Sequence, residues 1–388
     1  MGIGLMYSMI FKNLWFLVFV VISVACQRPA LHKEPDNKTS PVVTEAVNYQ
    51  RQNYYPVKLE PPYSIIDEDD VPGMPVANFC VVDDKLFFTG SKGHLIAADA
   101  DDLGADHIDL SEAISAAPSF RYPLLLVASE VEGPGLLAYH ILSGQIVWTH
   151  NPGPSVNAPV ILGDQVYHTN LSRQIMQLDL ASGSVTGTLK LDEQPVSHLA
   201  VHDKKLITTS TNGQVLSITA QNNLQVQWKK KIARAFRTYP VINGNHIYVA
   251  TYDGKFIVID TDGSMIYERD AGVSLYTAVS TDESSIFLPQ SNGYLVAIDA
   301  LSFKTLWKTK LDGPMTIPAL VTRDHIVAGT SQKKLFFIKK ENGQIIQELD
   351  IEGRLSALPV RIEEKLYIGY EYNHIAALIP DKDVNDDQ

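Results

Sequence analysis

Gly93, Gly133, Arg173, Gly213, Gly254, Gly293, Lys333 and Asn373 stand at steps of 40, 40, 40, 41, 39, 40 and 40 residues. Each falls between two short apolar runs, where the chain has to reverse. Five of the eight are glycine and one is asparagine, the residues that adopt positive φ at least cost. Strand–turn–strand content repeated at a period near 40 predicts an all-β fold, an eight-bladed β-propeller of four-stranded antiparallel blades. Such a fold is a scaffold, and any chemistry on it has to be established separately.

The copy around Gly254 is the clearest. Strands are expected at 246–251 and 255–260, with Asp253-Gly254 between them and Asp262-Gly263 turning the chain again. Asn212-Gly213 and Asn292-Gly293 repeat the hairpin signal. Pro118, Pro159, Pro240, Pro318 and Pro359 stand where the first strand of a blade would begin, a place where no ladder N–H is needed. After Pro359 three strand candidates remain, at 360–362, 366–369 and 375–378, before the acidic tail 381–388. The last blade therefore lacks a strand, and an open ring would leave two sheet edges unpaired. Residues 55–59 are expected to supply the missing strand.

A chain of 388 residues could hold two or three domains, but the unbroken repeat over 75–380 argues for one closed domain. The formal net charge of −12 disfavours nucleic-acid binding, which needs a basic surface. The two cysteines, Cys26 and Cys80, are too few for a disulfide framework or a metal cluster. Cys80 lies in the apolar run 79–82 and reads as a buried strand thiol.

The N-terminus differs from the rest. Residues 14–25 form an almost wholly apolar run of 12 residues behind Lys12. A bilayer-spanning helix needs about 20 residues, so the run suits the core of a signal peptide over 1–25. The junction Ser23-Val24-Ala25-Cys26 resembles a bacterial lipobox, with Ser23 where that pattern has Leu, Val or Ile. The resemblance implies lipid attachment at Cys26, and Gln27 beside it implies sorting to the outer membrane. Residues 26–74 carry seven prolines and many charges without a sustained period, as expected of a flexible tether. Asp67-Glu68-Asp69-Asp70 lacks the spacing and glycine of a calcium loop and reads as part of that tether.

A second signature follows the turns. Ala138 to Trp148 and Ala297 to Trp307 are full copies; Asp179 to Gly183 and Asp260 to Gly263 are partial ones. Asp179, Asp260 and Asp299 are placed to accept backbone N–H groups in the turn that follows. Trp148, Trp228 and Trp307 recur at intervals of 80 and 79 residues, each offering a large ring to the neighbouring blade. The pattern resembles the PQQ-like family of propeller repeats over 75–380. Blade 7 departs from it, with Lys333 at the glycine position and Lys339 at the aspartate position. With the signal, lipobox and tether, the chain resembles the BamB family of outer-membrane assembly lipoproteins. That resemblance implies a non-catalytic scaffold, lipid-anchored in the outer membrane and facing the periplasm. Its implied partners are the β-barrel assembly machinery and unfolded outer-membrane proteins.

No cofactor, metal or catalytic residue is expected. Quinoprotein dehydrogenases, by resemblance, would require adjacent cysteines, calcium ligands and a tryptophan floor. This chain has no Cys-Cys pair, and its propeller tryptophans occupy the outer-strand slot. His168, His198 and His202 show no metal-ligand spacing, and no nucleophile motif or phosphate loop is present. One local charge reversal stands out in the acidic chain. Lys229, Lys230, Lys231, Arg234 and Arg237 surround Phe236 in an expected loop between blades 4 and 5. They form a candidate partner site with Phe236 as its apolar anchor. The partner-binding loops of the family read differently from Leu189 to Gln194 and from this basic run, so no binding residue carries over. Two alternatives remain beside the assembly scaffold. One is a cell-envelope propeller binding another protein or a polysaccharide; the other is a quinoprotein-type dehydrogenase.

Overall fold

The computed structural model describes residues 30–31, 34–36, 38–39, 43–44 and 47–381, except 132–134, 196 and 221–222. The expected signal, Cys26, Gly133 and residues 382–388 lie outside the described residues. Those described form 32 strands and no helix. Six four-stranded sheets cover 119–150, 160–190, 200–231, 241–270, 280–310 and 320–350. They are numbered here as blades 2 to 7. Two further four-strand sets share one eight-stranded sheet. Blade 1 spans 75–109, and blade 8 takes three strands from 355–380 and one from the N-terminal segment. A short parallel pairing, Ala77 with Ala357 and Asn78 with Leu358, joins the two sets.

Within a blade, the middle strands face neighbouring blades on both sides and are largely buried and apolar, with a few buried polar residues such as Thr208, Thr209 and Ser217. Lys255–Asp260 is buried except at its ends, whereas the outermost strand Met265–Asp270 has no buried residue and exposes four of its six. The turn marks behave as their residue types predict. Gly93, Gly213, Gly254 and Gly293 have φ of 86°, 83°, 94° and 81°. Arg173, Lys333 and Asn373 hold the same turn at 64°, 60° and 69°.

The second signature is a lock between blades. Trp148, Trp228 and Trp307 sit on outermost strands, opposite the small residues Ala138, Ser217 and Ala297. Each indole Nε1 donates to a carbonyl of the next blade, at Leu180, Thr261 and Lys340, over 2.8, 3.0 and 2.9 Å. The ring lies on the glycine of that blade's turn. A Cβ on Gly183, Gly263 or Gly343 would come within 2.6, 3.0 or 2.5 Å of it. The turn aspartates accept as expected, Asp179 from Ser182 N at 2.9 Å and Asp299 from Ser302 N at 2.7 Å. In blade 7 the turn at Lys339 keeps the backbone bond that the aspartate turns also make, from Gly343 N to Lys339 O at 2.9 Å, without the carboxylate acceptor.

The closing strand is Tyr63–Asp70, not 55–59. It runs antiparallel to His374–Pro380, from Tyr63 opposite Pro380 to Asp70 opposite His374. Its burial explains the difference: Tyr63 is buried and the other seven residues are exposed. An outermost strand needs no apolar face, so Asp67 to Asp70 could not be told from tether by composition. The four carboxyl side chains on a free edge also discourage pairing with other chains.

Residues 43–44 and 47–57, expected as tether, belong to the fold. They run around the inner edge of the ring and visit the blades in order. The N–H groups of Phe120, Val201, Ile242, Thr281 and Val321 occupy equivalent positions on innermost strands, 81, 41, 39 and 40 residues apart. They donate to the carbonyls of Val43, Tyr49, Gln50, Gln52 and Asn53 over 2.7–3.0 Å. An innermost strand is a sheet edge, and these bonds satisfy its free donors. Side chains add to the seal, with Arg51 Nε donating to Leu199 O at 2.9 Å and Asn53 Nδ2 to Val279 O at 3.2 Å. Arg51 and Asn53 are fully buried.

Candidate partner-docking site

The basic run is strand first and loop second. Lys229, Lys230 and Lys231 lie on the outermost strand of blade 4, Val226–Lys231, opposite Leu216, Val215 and Gln214. All three are exposed. Lys229 Nζ reaches Asp192 Oδ2, in the connection after blade 3, at 2.6 Å, and that hydrogen bond holds the Asp192 carboxyl below its usual range. The stem of Lys230 lies over Gly263, beside the Trp228 ring.

Phe236 is not an exposed anchor. It is 2% exposed and packs with Val215, Ile242 and Val249 in the core between blades 4 and 5. It also bridges to Thr251. The connection enters the next blade at that point, so its apolar residue turns inward while the charged neighbours stay in water. Phe236 therefore supports the site from beneath.

Aromatic surface is supplied by residues the sequence reading passed over. The Arg237 guanidinium lies 4.9 Å from the Tyr252 ring centroid, and Tyr252 lies 5.5 Å from Tyr276. Both tyrosines are exposed, at 47% and 52%. Tyr252 directly precedes the Asp253-Gly254 turn, a position that in a buried strand pattern reads as its end. Lys231 and Arg234, with Ile232, Ala233, Asp253 and Lys255, line an adjoining open cavity of 490 Å³. A cationic rim beside two tyrosine rings in tilted contact is the chemistry of a protein interface: large rings at low entropic cost, with charge to orient the partner.

The histidines singled out in sequence do not converge. His198 Nδ1 accepts from Ala158 N at 2.8 Å, and His202 pairs with Asp203 at 3.3 Å. His168 is buried without a hydrogen-bond partner on either ring nitrogen among the described residues, and burial pushes its pKa down to about 3. Cys80 is a buried thiol whose pKa burial raises, as its apolar run predicts.

The fold and this surface define a PQQ-like repeat propeller whose own N-terminal segment completes blade 8 and lines the inner wall of the ring. The family model described as outer membrane protein assembly factor BamB matches residues 72–260, 175–314 and 212–378. The chain belongs to that family. The outer membrane protein assembly factor BamB of Moranella endobia is 23% identical over 275 residues, 66% of this chain and 69% of the relative. The crystal structure of BamB from Moraxella catarrhalis superposes with a TM-score of 0.59 at 16% identity, over 82% of this chain and all of that one. A quinohemoprotein alcohol dehydrogenase of Pseudomonas putida superposes at 0.74 with 12% identity, over 90% of this chain and 81% of that one, a likeness of fold alone.

Proposed function

We propose that this chain is a non-catalytic periplasmic scaffold, anchored in the outer membrane through a lipid on Cys26, that assists assembly and insertion of outer-membrane β-barrel proteins. It does so by docking the β-barrel assembly machinery. The observation that carries the reading is the family match through residues 72–378. The occupied inner edge of the ring supports docking from outside. The docking surface is the cluster Lys229, Lys230, Lys231, Arg234 and Arg237, with Tyr252 and Tyr276 in the anchoring role. Phe236 holds the loop that carries them. In an acidic protein such a patch orients an acidic partner and speeds encounter more than it adds affinity.

Crosslinking followed by mass spectrometry of the native membrane fraction tests the function. Recovery of the core of the β-barrel assembly machinery is expected. Recovery of other envelope components without it would overturn the reading. Exchanging the five basic residues for glutamate tests the site, and weakened capture of that core is expected; undiminished capture would remove the site and leave the function standing.

A further inference from the structure

The outer hairpin of blade 1 carries three metal-ligating side chains that face the same way. His107 and Asp109 stand two apart on the outermost strand Ala105–Asp109, and His94 opens the neighbouring strand His94–Asp99. His94 is directly opposite Asp109, and His107 is opposite Ile96. In an antiparallel ladder, opposed residues and residues two apart project from one face. One ligand atom from each of the three lies within 4.8 Å of the others. His94 Nδ1 is 2.6 Å from Asp109 Oδ1, and the two imidazole centroids are 5.0 Å apart.

The backbone beneath the three is rigid. Ladder pairing holds both strands, and Leu110 N and Ser111 N both donate to Gly93 O, at 2.9 and 3.2 Å. Gly73 gives the His94 ring its space, since a Cβ there would sit 3.3 Å from His94 Cδ2. His94 is thus a fixed, partly buried ligand paired with the exposed Asp109, and the exposed His107 ring stands beside them.

We propose that His94, His107 and Asp109 form a surface site for a divalent transition metal of zinc type. Two imidazoles and one carboxylate suit Zn²⁺ or Cu²⁺, at about 2.0–2.2 Å per bond with the remaining positions held by water. They do not suit Ca²⁺ or Mg²⁺, which take oxygen ligands. Blade 8 provides an internal contrast. His374 Nδ1 pairs with Asp70 Oδ1 at 2.7 Å in the equivalent register, but the residue two before Asp70 is Glu68. The second imidazole distinguishes the proposed site.

Competition titration of Zn²⁺ against a chromophoric chelator, on the full chain without a polyhistidine tag, tests this. One Zn²⁺ per chain at micromolar affinity or tighter is expected. His107→Ala removes an exposed ring on an outer strand and should weaken binding about tenfold or more, while His374→Ala should leave it unchanged. Copper EPR gives a second readout, with two coordinated nitrogens in the unaltered chain and one in His107→Ala. Failure to bind Zn²⁺, affinity equal in His107→Ala, or loss in His374→Ala instead would overturn the site.

Discussion

The indole Nε1 of Trp148 donates to the carbonyl of Leu180 across a blade boundary at 2.8 Å, and the same ring covers Gly183 of the receiving turn. Gly183 has φ of 68°, and an added Cβ would stand 2.6 Å from the indole. Gly183→Ala should therefore lower stability twice over: about 1–2 kcal/mol for the left-handed backbone and about 1–3 kcal/mol for the clash. Gly163→Ala, at φ of 59° with nothing within 4 Å, should show the backbone cost alone. Equilibrium urea unfolding of the two variants separates the effects, and equal losses would contradict the lock.

Closure of the ring depends on Tyr63. Its ring stacks on Phe337 at 5.2 Å between centroids, and its N–H donates to Gln347 Oε1 at 2.7 Å while its carbonyl accepts from Gln347 Nε2 at 2.6 Å. Tyr63→Ala should cost about 3–5 kcal/mol, as for other buried aromatic truncations. A chain beginning at Val71 loses the whole strand and bares the edge of His374–Pro380. Sedimentation should then show self-association absent from the full chain.

The inner segment makes a prediction about single amides. Val201, Ile242, Thr281 and Val321 N–H groups donate to residues 49–53. In the full chain they should exchange slowly with solvent deuterium. A chain beginning at Lys58 keeps the closing strand but lacks these acceptors, and protection should drop at these four amides more than at the middle strands of the same blades. Unchanged protection would show that the segment is dispensable to the ring.

His168 links stability to acid. Its folded pKa is depressed to about 3 from an ordinary 6.5, first by burial and then by the charge of His150. Between those values the unfolded chain binds a proton that the folded chain does not. The contribution is therefore fully present above pH ~6.5 and is lost progressively as pH falls towards 3. At about 1.4 kcal/mol per pKa unit the total is a few kcal/mol. His168→Phe should flatten the pH dependence of urea midpoints through this window; an unchanged slope would contradict it.

Much of this architecture could be read in the sequence because a reversal leaves a mark. Gly213 and Gly254 announce their turns, and Arg173 and Lys333 were found by spacing although their residue types favour no positive φ. Two elements left no such mark. Tyr63–Asp70 is an outermost strand, exposed beyond its first residue, so its acidic composition matched solvated tether. Residues 43–44 and 47–57 meet successive blades mainly through backbone carbonyls, whatever their side chains, so the segment has no residue period to detect. At the candidate site the basic residues were visible as a break in charge. The inward turn of Phe236 and the Tyr252–Tyr276 ring contact were not, since a single ring in a connection carries no periodic signal for inside or outside.

The most direct measurement of the proposed role is the folded fraction of outer-membrane β-barrels in cells lacking this chain, read by heat-modifiable electrophoretic mobility. The account predicts a lowered folded fraction, restored by the unaltered chain and restored poorly by the variant with Lys229, Lys230, Lys231, Arg234 and Arg237 exchanged for glutamate. A folded fraction unchanged by loss of the chain would contradict the assignment to barrel assembly.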